Sequence, residues 1–198
     1  MSCVLVTLQP RRDDSRLIFF NAGLFTDGVA IAKLGQFYAQ AILNANIEFD
    51  MLYGPAYKGI TLSASTAIAL AGFNRNVPFA FNRKEVKDHG EGGLTIGAPV
   101  SGKVLIVDDV ISAGTSVRES IEVIEATGAS PCGIVISLDR QERGTGAESA
   151  IQQIQRDFGL PVINLFCLDD LVEYLSQKPE MADNLSRVCK YREEYGAA

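Results

Sequence analysis

The chain has no long basic run, no apolar run near the length of a membrane span, and no paired cysteine or histidine motif. Each absence removes a class of function. Net charge is −6, and without a basic stripe nucleic-acid binding is excluded as the main role. A membrane-spanning helix needs about 18 or more apolar residues, which nothing here supplies. The apolar stretch 4–8 is too short for the core of a signal peptide. The four cysteines, Cys3, Cys132, Cys167 and Cys189, fit neither a metal motif nor a redox pair and suit a reducing, cytoplasmic setting. Cys132 and Cys167 stand in apolar strand-like runs and read as core thiols. G-x-x-x-x-G-K-[ST] and G-x-G-x-x-G are both missing, which argues against a P-loop hydrolase and against a dinucleotide site. Repeats and low-complexity segments are missing too.

What is present is a hydrophobic fraction of 47% over 198 residues, enough for a single domain with a sizeable core. Strand-like runs at 49–53, 77–81, 104–107, 133–138 and 161–166 alternate with helical patterns at 28–45, 60–71, 115–127 and 147–158. In the first helix Ala30, Leu34, Phe37 and Ala41 make the inward face, with Thr26 or Asp27 as the cap. In 115–127, Val117, Ile121 and Ile124 face inward, Arg118, Glu122 and Glu125 face outward, and Gly128 closes the helix. Two short helices follow the last strand, the second opening near Pro179. The alternation predicts an α/β fold, a mainly parallel sheet flanked by helices on both faces. Between Asn82 and Ala98 the pattern stops, and the chain turns polar, charged and glycine-rich. Segments of this length without structure in a compact domain are usually functional or disordered. We read 83–97 as a flexible active-site lid, with Gly90, Gly92 and Gly93 as its loose points. Its basic cluster of Arg83, Lys84 and Lys87 suits a small anionic substrate better than a polyanion.

The most informative stretch is Val104-Leu105-Ile106-Val107-Asp108-Asp109-Val110-Ile111-Ser112-Ala113-Gly114-Thr115-Ser116. A buried strand ends in two carboxylates, then a small-residue turn leads into a helix near Thr115. Ligands of open α/β sheets bind at such carboxyl ends. The turn offers backbone amides and hydroxyls at a helix N-terminus, which suit a phosphate. The acids repel a phosphate and suit sugar hydroxyls or a cation instead. Together they look built for a phosphorylated ribose. Apolar strands ending in Asp-Asp also occur in nucleotide hydrolases, and the residues alone leave both readings open.

This stretch resembles the phosphoribosyl-diphosphate (PRPP) signature of the type I phosphoribosyltransferases. Four more runs, in order, resemble the bacterial orotate phosphoribosyltransferases of that family. They are Phe19-Phe20-Asn21-Ala22-Gly23-Leu24-Phe25, Gly54-Pro55-Ala56-Tyr57-Lys58-Gly59, the run 81–93, and Ser137-Leu138-Asp139-Arg140-Gln141-Glu142-Arg143-Gly144. The resemblance implies the type I fold and the transfer of phosphoribosyl from PRPP to orotate. It implies that Asp108 and Asp109 hold the ribose hydroxyls and help orient Mg²⁺, which arrives on PRPP rather than on protein ligands. Residues 110–116 (Val110, Ile111, Ser112, Ala113, Gly114, Thr115, Ser116) would cradle the 5′-phosphate. Tyr57 and Lys58 would bind pyrophosphate. From the lid, Arg83, Lys84, Lys87 and His89 would reach PRPP, with Lys87 stabilising the leaving pyrophosphate. Phe19 and Phe20 would pack the flat orotate ring. Arg140 would pair with its carboxylate through a planar fork, and Ser112, where the family usually has Thr, would keep a hydroxyl contact.

The resemblance also implies a homodimer in which each lid serves the partner's site. The first 18 residues depart from it. Arg11 stands by position where the family has a substrate-binding lysine, and we read this segment as a frameshifted or misassigned start. Two rivals share the motif: a phosphoribosyltransferase for another base, and a catalytically silent PRPP-sensing regulator.

Overall fold

The computed structural model describes residues 6–8, 18–20, 22–83, 95–112, 114–144 and 148–197. Six strands form the main sheet: β3 (Met51–Gly54), β4 (Phe79–Asn82), β5 (Thr95–Gly97), β6 (Lys103–Val107), β7 (Ser130–Asp139) and β8 (Val162–Cys167). Their spatial order is β5-β4-β3-β6-β7-β8. Every pairing is parallel except β4 with β5. The short strands β1 (Val6–Leu8) and β2 (Ile18–Phe20) make a separate antiparallel pair.

Helices cover both faces, so the central strands are apolar on both sides rather than alternating. Along β6, Leu105 and Val107 face one core layer, while Val104 and Ile106 face the other. The first layer is completed by α1 (Gly28–Ala45), α2 (Lys58–Gly72), α5 (Leu168–Ser176) and α6 (Ala182–Tyr195). The second is completed by α3 (Thr115–Ala126) and α4 (Ala150–Phe158). No helix among the described residues is long and apolar enough to cross a membrane.

The strand–helix alternation and both covered faces match the expected fold, with local corrections. The inward stripe of α1 is Leu34, Tyr38 and Ile42, while Phe37 is 50% exposed under the Lys33 ammonium. The turn of the helix is set by Gly35, where an added Cβ would meet the Ser65 carbonyl oxygen of α2 at 2.5 Å. Asp27, not Thr26, caps α1 by accepting from the Ala30 amide. The segment 82–98 is not wholly irregular, because its end forms β5 on the sheet edge. Cys132 and Cys167 are half-buried rather than core residues. The last helix runs 14 residues after a 3₁₀ turn at Pro179–Met181, and is not short.

Candidate active site

Strand order reverses beside β3: β4 lies on one side and β6 on the other. The helix after β3 covers one face of the sheet, and the helix after β6 covers the opposite face. Their leading loops therefore diverge and open a crevice at the carboxyl ends of these two strands, the usual ligand position in open α/β sheets.

From β6 come Asp108 and Asp109, only 7% and 5% exposed. Asp108 Oδ1 accepts from the Asp109 amide at 2.9 Å, and Oδ2 accepts from Ser116 Oγ at 3.2 Å. Burial first, and then the neighbouring Asp109 carboxylate, pushes Asp108 up from 3.8 to about 7. The main chain of the pair is held from below. The Asp108 carbonyl accepts from the Tyr38 hydroxyl at 2.8 Å, and the Asp109 carbonyl accepts from the Ser137 amide at 2.9 Å. The turn then reaches Gly114, whose φ of +73° starts α3 with no side-chain cap and no acid in its first turn. The amides there point to a place that favours an anion.

From β3 comes the loop Gly54 to Lys58. A Cβ on Gly54 would lie 2.0 Å from the Gly59 carbonyl oxygen, and one on Gly59 would lie 2.8 Å from the Val107 carbonyl oxygen. Only glycine at both positions lets this loop close down onto β6. The Ala56 amide donates to Asn82 Oδ1 at 2.7 Å, which ties the loop to β4. The consequence is an ion pair across the crevice between the Lys58 ammonium and Asp109 Oδ2. Beside it, Gly23, Phe25, Asp27, Ile31, Tyr57 and Lys58 border an open cavity of about 530 Å³. At the other rim, Arg140 follows β7 and is buried. Its Nη2 donates to Ser112 Oγ at 2.8 Å and pairs with Glu142 Oε2 at 3.0 Å.

A family profile described as phosphoribosyl transferase domain matches residues 24–155. The orotate phosphoribosyltransferase of Thiobacillus denitrificans is 59% identical over 178 residues, covering 90% of this chain and 84% of that protein. That of Laribacter hongkongensis is 60% identical over the same shares. The chain belongs to the orotate phosphoribosyltransferases. The solved orotate phosphoribosyltransferase of Francisella tularensis superposes with a TM-score of 0.79 at 38% identity, covering 91% of this chain and 87% of that one. A Mycobacterium tuberculosis orotate phosphoribosyltransferase in complex with PRPP shares the fold, with a TM-score of 0.57 at 22% identity over 72% of this chain and 75% of that one.

Within this transferase family, the structure brings the expected residues together in three contacts: Lys58 with Asp109, Asp108 with Ser116, and Ser112 with Arg140. Tyr57 stands 70% exposed on the cavity rim, and Arg83 is half-buried just past β4. Ile111 is buried in one core layer, and Val110 packs, partly buried, against the other. Phe20 is corrected: it is 1% exposed, with its ring among Phe25 and Phe166, and presents no open face for stacking. Phe19 pairs with Thr7 in the β1–β2 ribbon. Lys84, Lys87, His89, Ala113 and Arg11 lie outside the described residues, as does most of the lid and of the first 18 residues. The sequence reading missed Tyr38, Ser137 and Asn82. A signal for Tyr38 existed: one hydroxyl in an otherwise Leu/Ile stripe of α1.

Proposed function

We propose that this chain transfers the 5-phosphoribosyl group of PRPP to orotate, yielding orotidine 5′-monophosphate and pyrophosphate in pyrimidine biosynthesis. The observation that carries the reading is a buried arginine, Arg140, held against Ser112 at the rim of a crevice that combines two acids with a run of helix-terminal amides. A planar guanidinium there is a receptor for the orotate carboxylate.

The bond from ribose C1 to a pyrophosphate oxygen breaks, and a bond from C1 to an orotate ring nitrogen forms as that nitrogen loses its proton. Positive charge grows on the ribose while negative charge leaves with pyrophosphate. Charge placement therefore matters more than a protein nucleophile. Asp108 and Asp109 take the ribose hydroxyls, and residues 110–116 hold the 5′-phosphate. Lys58 leaves Asp109 for pyrophosphate, with Tyr57 beside it. Lys87 is the main charge brought by the lid, with Arg83, Lys84 and His89. Phe20 is committed to the core, so covering the orotate ring falls to Phe19.

The donor set fits Mg²⁺ as a substrate-borne ion. This cation keeps several waters and takes one or two carboxylates plus phosphates, which the Asp108–Asp109 pair beside a phosphate-type turn can offer. When bound it neutralises pyrophosphate charge, with Asp108 and Asp109 orienting it through PRPP. The protein acts as a homodimer, each lid serving the partner's crevice.

Purified protein with Mg²⁺ and PRPP should release pyrophosphate in an orotate-dependent way; faster turnover with adenine or hypoxanthine overturns the substrate, and none with any base favours a silent regulator. Mixed Lys87→Ala and Asp109→Asn subunits should regain up to about half the wild-type activity per hybrid. Proven subunit exchange without recovery overturns the shared site.

A further inference from the structure

The acidic pair needs its main chain held as firmly as its side chains, and one residue far away in sequence does this. Tyr38 lies in α1, is wholly buried, and sits 70 positions from Asp108. Its hydroxyl donates to the Asp108 carbonyl at 2.8 Å. It also contacts Ser137 Oγ closely. A phenol has one proton, and a carbonyl can only accept, so Ser137 is the donor in that second contact. Burial, the largest influence, raises the Tyr38 hydroxyl well above its ordinary range, so it remains a donor at any working pH. Ser137 meanwhile donates its amide to the Asp109 carbonyl. Two consecutive carbonyls are thus drawn inward, toward α1 and β7. The carbonyl of Asp108 belongs to the peptide that leads into Asp109, so its direction sets where the Asp109 side chain leaves the backbone.

We propose that Tyr38 is a positioning residue for PRPP: through the Asp108 carbonyl, and braced by Ser137, it fixes the two carboxylates at the spacing that the ribose hydroxyls require. The proposal rests on reading the acidic pair as the ribose site. Without the hydroxyl the buried carbonyl loses its donor and the peptide can rotate toward solvent or toward another amide. The ring of Tyr38 still fills its place, so packing is kept.

The test is Tyr38→Phe in the full chain, with KM for PRPP and for orotate measured separately and thermal midpoints recorded. Ile42→Val serves as a control for core softening, because Ile42 is buried one turn along the same stripe and has no polar group to offer the pair. Tyr38→Phe should raise KM for PRPP about tenfold, the worth of one well-placed buried hydrogen bond, and leave KM for orotate near its original value. Ile42→Val should lower the midpoint without this split. If Tyr38→Phe does not fold, Ser137→Ala, which removes the brace alone, should give a smaller rise of about threefold, again for PRPP only. Asp109→Asn separates the two levels of the argument. If it keeps full PRPP affinity, the ribose reading fails. If it loses affinity while Tyr38→Phe behaves like Ile42→Val, or raises both KM values equally, the positioning role of Tyr38 is overturned.

Discussion

The two ends of β6 carry the same kinds of groups in different surroundings. At its amino end Lys103 pairs with Glu48 at 2.7 Å, next to Asp50, and the side chains are 55% and 85% exposed. At its carboxyl end Lys58 pairs with Asp109, and the side chains are 42% and 7% exposed. Hydrogen bonding and charge from Lys103 hold Glu48 below the usual carboxylate range, while burial and a like charge push Asp108 above it. Opposite shifts of similar groups teach that contact alone does not make a site. At the amino end water solvates whatever the pair does not. At the carboxyl end the two carboxylates are buried beneath two loops and two helix ends, so their charge has to be answered by a placed partner.

The comparison can be broken most forcefully at Asp109. Asp109→Asn should lower kcat/KM by roughly 10²–10³-fold in a pyrophosphate-release assay, the loss expected for a preorganised charge in a sheltered site. A loss below about tenfold would mean that burial at this end has no catalytic consequence. Arg140→Ala should follow, with kcat/KM for orotate reduced by the equivalent of about 2–3 kcal/mol because the orotate carboxylate loses its guanidinium and meets an unpaired Glu142 instead, and with PRPP binding by calorimetry changed little. Gly54→Ala should cost about 1–3 kcal/mol in denaturant unfolding, since the added methyl group would overlap the Gly59 carbonyl and the Ser63 hydroxyl.

A subtler effect is the pH dependence of stability. The folded protein holds the Asp108 proton more tightly than the unfolded chain does. Its stabilising share is therefore complete below about pH 4 and is lost as pH rises through about 7. Asp108→Asn has no such loss. Its stability relative to the parent should climb between pH 4 and pH 8, and a flat difference in thermal midpoints would contradict the burial argument. The smallest effect belongs to the amino end: Lys103→Ala and Glu48→Ala should change neither activity nor midpoint measurably, at low or high salt.

Much of the fold was legible because its signals are local. Val104 to Val107 is branched and apolar, Asp108-Asp109 follows, and a helix pattern starts at Thr115, where α3 does begin. The Val117, Ile121 and Ile124 stripe is buried as its spacing predicts. Errors arose where neighbours chose between local options. The spacing puts Phe37 on the inner face of α1, and the close approach of Gly35 to Ser65 turns Tyr38 inward instead. Thr95 to Gly97 has little strand character of its own, yet the open edge of β4 recruits it.

By itself the sequence determined an α/β chain with a phosphoribose-type turn after one strand, because periodicity, turn chemistry and motif order are properties of neighbouring residues. Only the tertiary structure decided which distant groups share that turn. Lys58 meets Asp109 because β3 and β6 are neighbours where the strand order reverses. Arg140 meets Ser112 because β7 lies next to β6. Tyr38 reaches the Asp108 carbonyl because α1 packs across the sheet. Phe20, half of a pair that reads as a ligand surface, is taken into the core by Phe25 and Phe166. In each case the partner stands tens of residues or more away in the chain, or on another element. No spacing rule encodes a contact that depends on which strands pair and which face each helix covers.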